Sequence, residues 1–146
     1  MKVKKMELSE EKLELLREAG YSEKAIRYLQ NDINIGKIEN PDAVGDCTGE
    51  CGDKIIIYLK IIKKKIMDAK FIYSGCAGAG SSGSVICELA KDKRLEEAIK
   101  LSLGDVLKHL KIGEKSLPES KHDCCVIAIR SLRGAIESLV GDRIKK

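Results

Sequence analysis

Hydrophobic positions along the chain follow two different periods. Between Lys54 and Tyr73 they alternate: Ile55, Ile57, Leu59 and Ile61 share one face, and after a basic turn Met67, Ala69, Phe71 and Tyr73 share another. This predicts an antiparallel hairpin centred on Lys64. Elsewhere the spacing is helical. Ser9 is placed to cap a first helix, with Leu8 and Leu13 as a hydrophobic staple and Gly20 closing it. Ser22 repeats the arrangement with Tyr21 and Ile26. After the hairpin, helices are predicted over about Ser81–Ala90 and Leu95–Leu101, and a third begins at the cap residue Ser102. Pro118 introduces a long last helix, roughly Lys121 to Val140. The Gly- and Asp-rich stretch from Gly36 to Gly52 reads as a loop, with a short strand near Ile35–Glu39.

Helices grouped apart from a strand cluster indicate an α+β fold. The expectation is a small antiparallel β-sheet of about three strands with helices packed on one face and a long C-terminal helix. One domain over residues 1–146 is expected, residues 1–20 forming an N-terminal extension helix.

Composition narrows the function classes. The chain has no Trp and one Phe, so its core must be built from Ile, Leu, Val and Ala. Its 27 basic and 23 acidic residues are spread along the chain, which argues against a nucleic-acid surface. The charged opening, Met1 to Glu10, has no apolar core of a secretory signal, and no run is long enough to span a membrane. A cytoplasmic protein is expected, and there thiols stay reduced. Six cysteines in that setting point to metal or sulfur chemistry rather than disulfides.

The hairpin brings two of them together. Cys51 lies 13 residues before Lys64 (64 − 51) and Cys76 lies 12 after it (76 − 64), so the two face each other at the hairpin's open end. Both sit among glycines, which let a backbone come close to a bound group. Helical phase separates the next pair. Cys125 falls on the stripe Ile129, Leu132, Ile136 and Leu139, and reads as core. Cys124 falls about 100° round the helix, in a first turn that Ser120 can cap, where the macrodipole favours a thiolate. Cys124 is the better ligand. Cys87 and Cys125 read as buried, inert residues, and Cys47 stays open.

At these residues the sequence resembles the NifU/IscU-type iron–sulfur cluster scaffold family. Tyr21–Ser22–Glu23–Lys24 is similar to the family's Y-S-x-K, and Asn31 to Gly36 to its N-P-x-N-x-G element, with Asp32 in place of Pro. Cys51–Gly52–Asp53 matches C-G-D, and Gly75–Cys76 with Ala77 to Ser84 matches the G-C stretch that follows. Leu117–Pro118, Lys121, Cys124 and Ala128 match L-P-x-x-K-x-H-C-x-x-x-A. The resemblance implies a scaffold that binds a 2Fe–2S cluster or a single metal through Cys51, Cys76 and Cys124. It also implies a cysteine desulfurase as sulfur donor and apo-iron–sulfur proteins as recipients. It does not imply a catalytic centre, and it leaves a homo-oligomer open.

Two departures bear on the site. Asp123 stands where most members have His, so Asp53, Asp123 or the neighbouring His122 could be the fourth ligand. The family's chaperone-recognition segment reads Leu117–Pro118–Glu119–Ser120–Lys121 here, which gives a dedicated chaperone little support.

Asp53 follows Cys51 closely enough to reach the same metal, and its harder oxygen should exchange more readily than sulfur. Ser120-x-x-Asp123 also fits a capping box, so two roles stay open for Asp123. Lys121 matches the family lysine, where it could stabilise sulfide or thiolate charge. His109 reads as structural. Three cysteines and Asp53 would equally suit zinc, which leaves a zinc-bound acceptor of persulfide as the alternative reading. Gly78–Ala79–Gly80–Ser81–Ser82–Gly83 fits a dinucleotide-binding turn by pattern alone. The strand before it is spent on an antiparallel hairpin, so these glycines are expected to serve the metal site.

Overall fold

A computed structural model describes residues 8–145, with side chains described as far as Leu139. Two short helices open the described chain, α1 (Glu10–Ala19) and α2 (Glu23–Gln30). The Ser9 hydroxyl accepts from the Lys12 N–H and the Ser22 hydroxyl from the Ala25 N–H, as their positions in the sequence predict. Gly20 ends α1 in a left-handed conformation.

Three antiparallel strands follow in the order β1 (Ala43–Thr48), β2 (Lys54–Ile62) and β3 (Lys65–Ser74). Lys63 and Lys64 both take positive φ, the turn geometry that suits a two-residue hairpin. Lys60 pairs with Asp68 and Ile61 with Ile66, so Met67 is left over as a bulge. Ala69, Phe71 and Tyr73 share the buried face as predicted, and the bulge corrects the placement of Met67 alone. Ile66 points into the core, fully buried, while Met67 is 45% exposed.

Strand β1 lies inside the stretch read as a loop. Its sequence, Ala-Val-Gly-Asp-Cys-Thr, lacks the β-branched run that marks a strand, and pairing with β2 overrides that weak preference. The strand expected near Ile35–Glu39 is instead a single bridge. The Phe71 N–H donates to the Asn34 carbonyl and the Gly36 N–H to the Phe71 carbonyl, against the free edge of β3.

Helix α3 (Ala77–Ala90) packs on β3, and α6 (His122–Lys145) lies along β1 and β2. Between them run α4 (Leu95–Ala98), three residues shorter than predicted, and α5 (Leu103–Leu110), capped by Ser102. The core fills the space between the sheet and these helices. Ile55, Ile57, Leu59, Phe71 and Tyr73 meet Ile86, Leu132 and Ile136 there, all essentially buried.

Helix α3 begins four residues before its predicted start, so the glycine run is helical. Its glycines serve packing, which corrects the expectation that they approach a metal. A Cβ at Gly83 would run into the Phe71 ring, and one at Gly80 would lie 2.8 Å from the Tyr73 hydroxyl and from Leu29. Bare backbone there lets α3 settle onto β3.

Candidate metal centre

Three side chains from three elements converge at the open end of the hairpin. The Cys76 Sγ lies 3.6 Å from the Cys124 Sγ and 3.4 Å from an Asp53 carboxylate oxygen, and Cys124 is 3.5 Å from that same oxygen. Around a tetrahedral ion with metal–sulfur bonds of about 2.3 Å, neighbouring sulfurs stand about 3.8 Å apart, and sulfur stands about 3.6 Å from a ligating carboxylate oxygen. The triangle therefore has the dimensions of one face of such a site.

Local structure explains each placement. Asp53 enters β2 directly after a tight turn in which the Gly52 N–H donates to the Gly49 carbonyl and the Gly49 N–H to the Asp53 carbonyl. Gly75, with φ +146, leaves room for the Asp53 carboxylate where any Cβ would collide with it. Cys76 is the N-cap residue of α3, and Cys124 lies in the first turn of α6. The positive ends of two helix macrodipoles thus meet at a cluster of acidic donors.

The two thiols do not titrate alike. The hydrogen bond from Cys124 pulls the Cys76 pKa down, and the Ala79 N–H adds to this against the cost of burial and the Asp53 charge. Cys124 is pushed up, first by the bond to Cys76 and then by burial. The two titrate as a coupled pair in which Cys76 is the more readily ionised. Tyr21 and Tyr73 are neighbours that sequence reasoning did not assign to the site. Both hydroxyls are pushed up chiefly by burial, Tyr73 to about 12; charge on Asp32 and then on Cys76 adds to Tyr73, and charge on Cys76 adds to Tyr21. The sequence marks Tyr21 as a staple residue and as the start of the Y-S-x-K match, neither of which points to the site. Its buried position beside α2 gave no sign of the thiols, which arrive from distant parts of the chain.

The remaining predicted residues surround this triangle. Cys51 is exposed on the turn and lines a cleft of about 250 Å³ together with Asp123 and Arg130. Among the described residues, neither Cys51 nor Asp123 belongs to the group whose ligand atoms converge. Arg130 stands seven residues from Asp123, two helical turns on, a spacing that could have drawn attention to it. His122 places Nε2 3.2 Å from the Leu117 carbonyl. The Lys121 stem packs closely on Gly78 in the first turn of α3. Ser120 lies within a 3₁₀ turn, Glu119–Lys121, ahead of α6 rather than at its cap, and Pro118 precedes that turn.

Cys125 and Cys87 are fully buried, and burial pushes both thiols up, Cys125 to about 12. Cys47 sits on β1 opposite Ile55, half-buried, outside the converging group. His109 places Nε2 2.7 Å from the Tyr28 hydroxyl, between α5 and α2.

The profile of the NifU-like N terminal domain family matches residues 20–145. The chain belongs to that family. It is 40% identical over 117 residues to an iron–sulfur cluster assembly scaffold protein IscU of Archaeoglobus fulgidus, covering 80% of this chain and 74% of that protein. It is 34% identical over 122 residues to the iron–sulfur cluster assembly scaffold protein IscU of Azotobacter vinelandii, covering 80% of this chain and 91% of that one. Among solved structures it is similar to a putative iron–sulfur cluster assembly scaffold protein of Fervidobacterium islandicum. That match has a TM-score of 0.61 and 25% identity, and covers 80% of this chain and 96% of the other. Helix α1 lies N-terminal to the matched residues. It is joined to the NifU-like domain by the Lys115 ammonium donating to the Arg17 carbonyl and by the Tyr21 N–H donating to the Leu16 carbonyl.

Proposed function

We propose that this NifU-like domain is a scaffold on which an iron–sulfur cluster, of 2Fe–2S type, is assembled and from which it passes to recipient apo-proteins. The observation that carries the reading is the triangle of Asp53, Cys76 and Cys124, metal-sized and set at two helix N-termini in a chain of this family. Cys51, on the exposed turn that leads into Asp53, is the fourth ligand. Asp123 and His122 flank it as lesser candidates, and Lys121 assists by offsetting negative charge. The cluster is cargo. Two thiolates hold iron firmly, while the carboxylate offers a harder donor that an incoming thiolate displaces. Sulfur comes from a cysteine desulfurase, and the exposed Cys51 is the sulfur ligand such a partner reaches first. The protein acts as a carrier in the cytoplasm and performs no turnover chemistry of its own. Among the described residues, no helix is long and apolar enough to cross a membrane.

The triangle's dimensions also favour a second reading. They fit a single zinc ion, held while Cys51 accepts persulfide from the desulfurase.

Serine substitutions test the ligand set. Cys51→Ser, Cys76→Ser and Cys124→Ser should each abolish retention of an anaerobically reconstituted cluster, while Cys87→Ser and Cys125→Ala should keep it. A cluster that survives loss of Cys124 but not of Cys125 would refute the assignment.

A further inference from the structure

A second concave site shares no residue with the triangle. It is an open depression of about 480 Å³ where α2, the end of α3 and α5 meet, lined by Lys24, Lys93, Lys108, Lys111 and His109 against one acid, Asp105. Crowding four ammonium groups around one carboxylate costs free energy unless something anionic offsets it.

The chain supplies little compensation. Lys54, Lys60 and Lys91 each stand beside a carboxylate, but among the described residues none of the four cleft lysines has an ion pair or a side-chain hydrogen bond. The Asp105 carboxylate is turned to the N–H and hydroxyl of Ser102, where it caps α5. Glu88 is engaged by Asn34 and Lys91. The macrodipole of α5 explains Lys108 in its last turn and Lys111 at its C-cap. It does not explain Lys93 in the turn after α3. Lys24 is the second residue of α2, where a cation opposes the dipole. His109 lies among the same groups, with the Glu88 charge also acting on it. Its pKa is lowered by burial and then by the charge on Lys24.

We propose that this cleft binds a small phosphate-bearing anion through the ammonium groups of Lys24, Lys93, Lys108 and Lys111. Ammonium groups act as point charges toward phosphate. The volume is that of a small-molecule site, typically about 300–1,000 Å³. Leu89 and Leu101 complete the lining and offer apolar surface to an organic part of the ligand. An extended acidic peptide would want backbone partners as well. The carbonyls of Leu101 and Lys108 beside the cleft are already taken by Arg133 and by the Lys111 N–H.

The test is titration of the whole protein with inorganic pyrophosphate and, separately, ADP, read by calorimetry and by backbone amide shifts. The expected result is saturable binding with shifts confined to the cleft. Affinity should fall about tenfold or more in Lys93→Gln/Lys108→Gln, and hold in Lys63→Gln/Lys64→Gln, which removes two charges from the hairpin turn. Tighter binding of ADP would assign the cleft to a nucleotide, and equal binding to the phosphate groups alone. Absence of saturable binding by both probes would overturn the proposal. So would equal losses in the two double variants, shifts centred on Cys76 and Cys124, or binding of poly-glutamate alone.

Discussion

The proposed scaffold role puts release of the cluster on one residue, Asp53. One of its carboxylate oxygens lies 3.4 Å from the Cys76 sulfur and 3.5 Å from the Cys124 sulfur, close enough for the three to meet one metal ion. A cluster held only by thiolates is hard to transfer, whereas an oxygen corner gives a recipient a bond to displace. Asp53→Ala should therefore load a cluster that persists longer and passes more slowly to an apo-ferredoxin. The check is the anaerobic transfer rate at equal loading. A variant that transfers as fast as the parent, or that cannot be loaded, would remove Asp53 from this role. Much of the site could be read from residue spacing. The symmetry of positions about Lys64 placed Cys51 and Cys76 at one end of the hairpin, and helical phase separated Cys124 from Cys125. The direction of the Cys51 side chain was not legible, because it depends on a four-residue turn closed by backbone hydrogen bonds.

At the scale of elements, the glycines of α3 decide how closely the helix approaches the sheet. Gly83→Ala would gain about 1 kcal/mol of helix propensity. It would also force a methyl group into the Phe71 ring, and overpacking of this kind costs about 1–3 kcal/mol. The expected outcome is a lower denaturation midpoint, read by circular dichroism. A stabilised variant would show that α3 has room to spare. The sequence pattern misplaced this helix start because glycine is the poorest ordinary helix former, and only tertiary contact reveals why it is tolerated here. The same limit hid β1, whose residues acquire strand geometry from β2 and the overlying α6. It also hid the bulge at Met67, since a one-residue slip next to the turn leaves the alternation of β2 and of Ala69, Phe71 and Tyr73 intact and moves only the turn-proximal end of β3.

For the molecule as a whole, the fold acts as a clamp that gathers three distant donors. Strand β2 delivers Asp53, β3 leads through Gly75 into the N-terminus of α3, and α6 brings Cys124 from the far end of the chain. Helix α1, outside the matched domain, adds a tie through the Arg17 carbonyl to Lys115, just ahead of α6. The Ser22 N–H donates to the Ser116 carbonyl at 2.8 Å and closes the same contact from α2. These ties hold the approach to Cys124 in place while the Cys51 turn faces outward. The most direct test of the scaffold reading is the iron, zinc and acid-labile sulfide content of the protein after anaerobic reconstitution, taken with its visible spectrum. The account predicts a brown protein with iron and sulfide in equal amounts, both lost together in Cys76→Ser. A colourless protein that carries zinc and takes up no sulfide would contradict it.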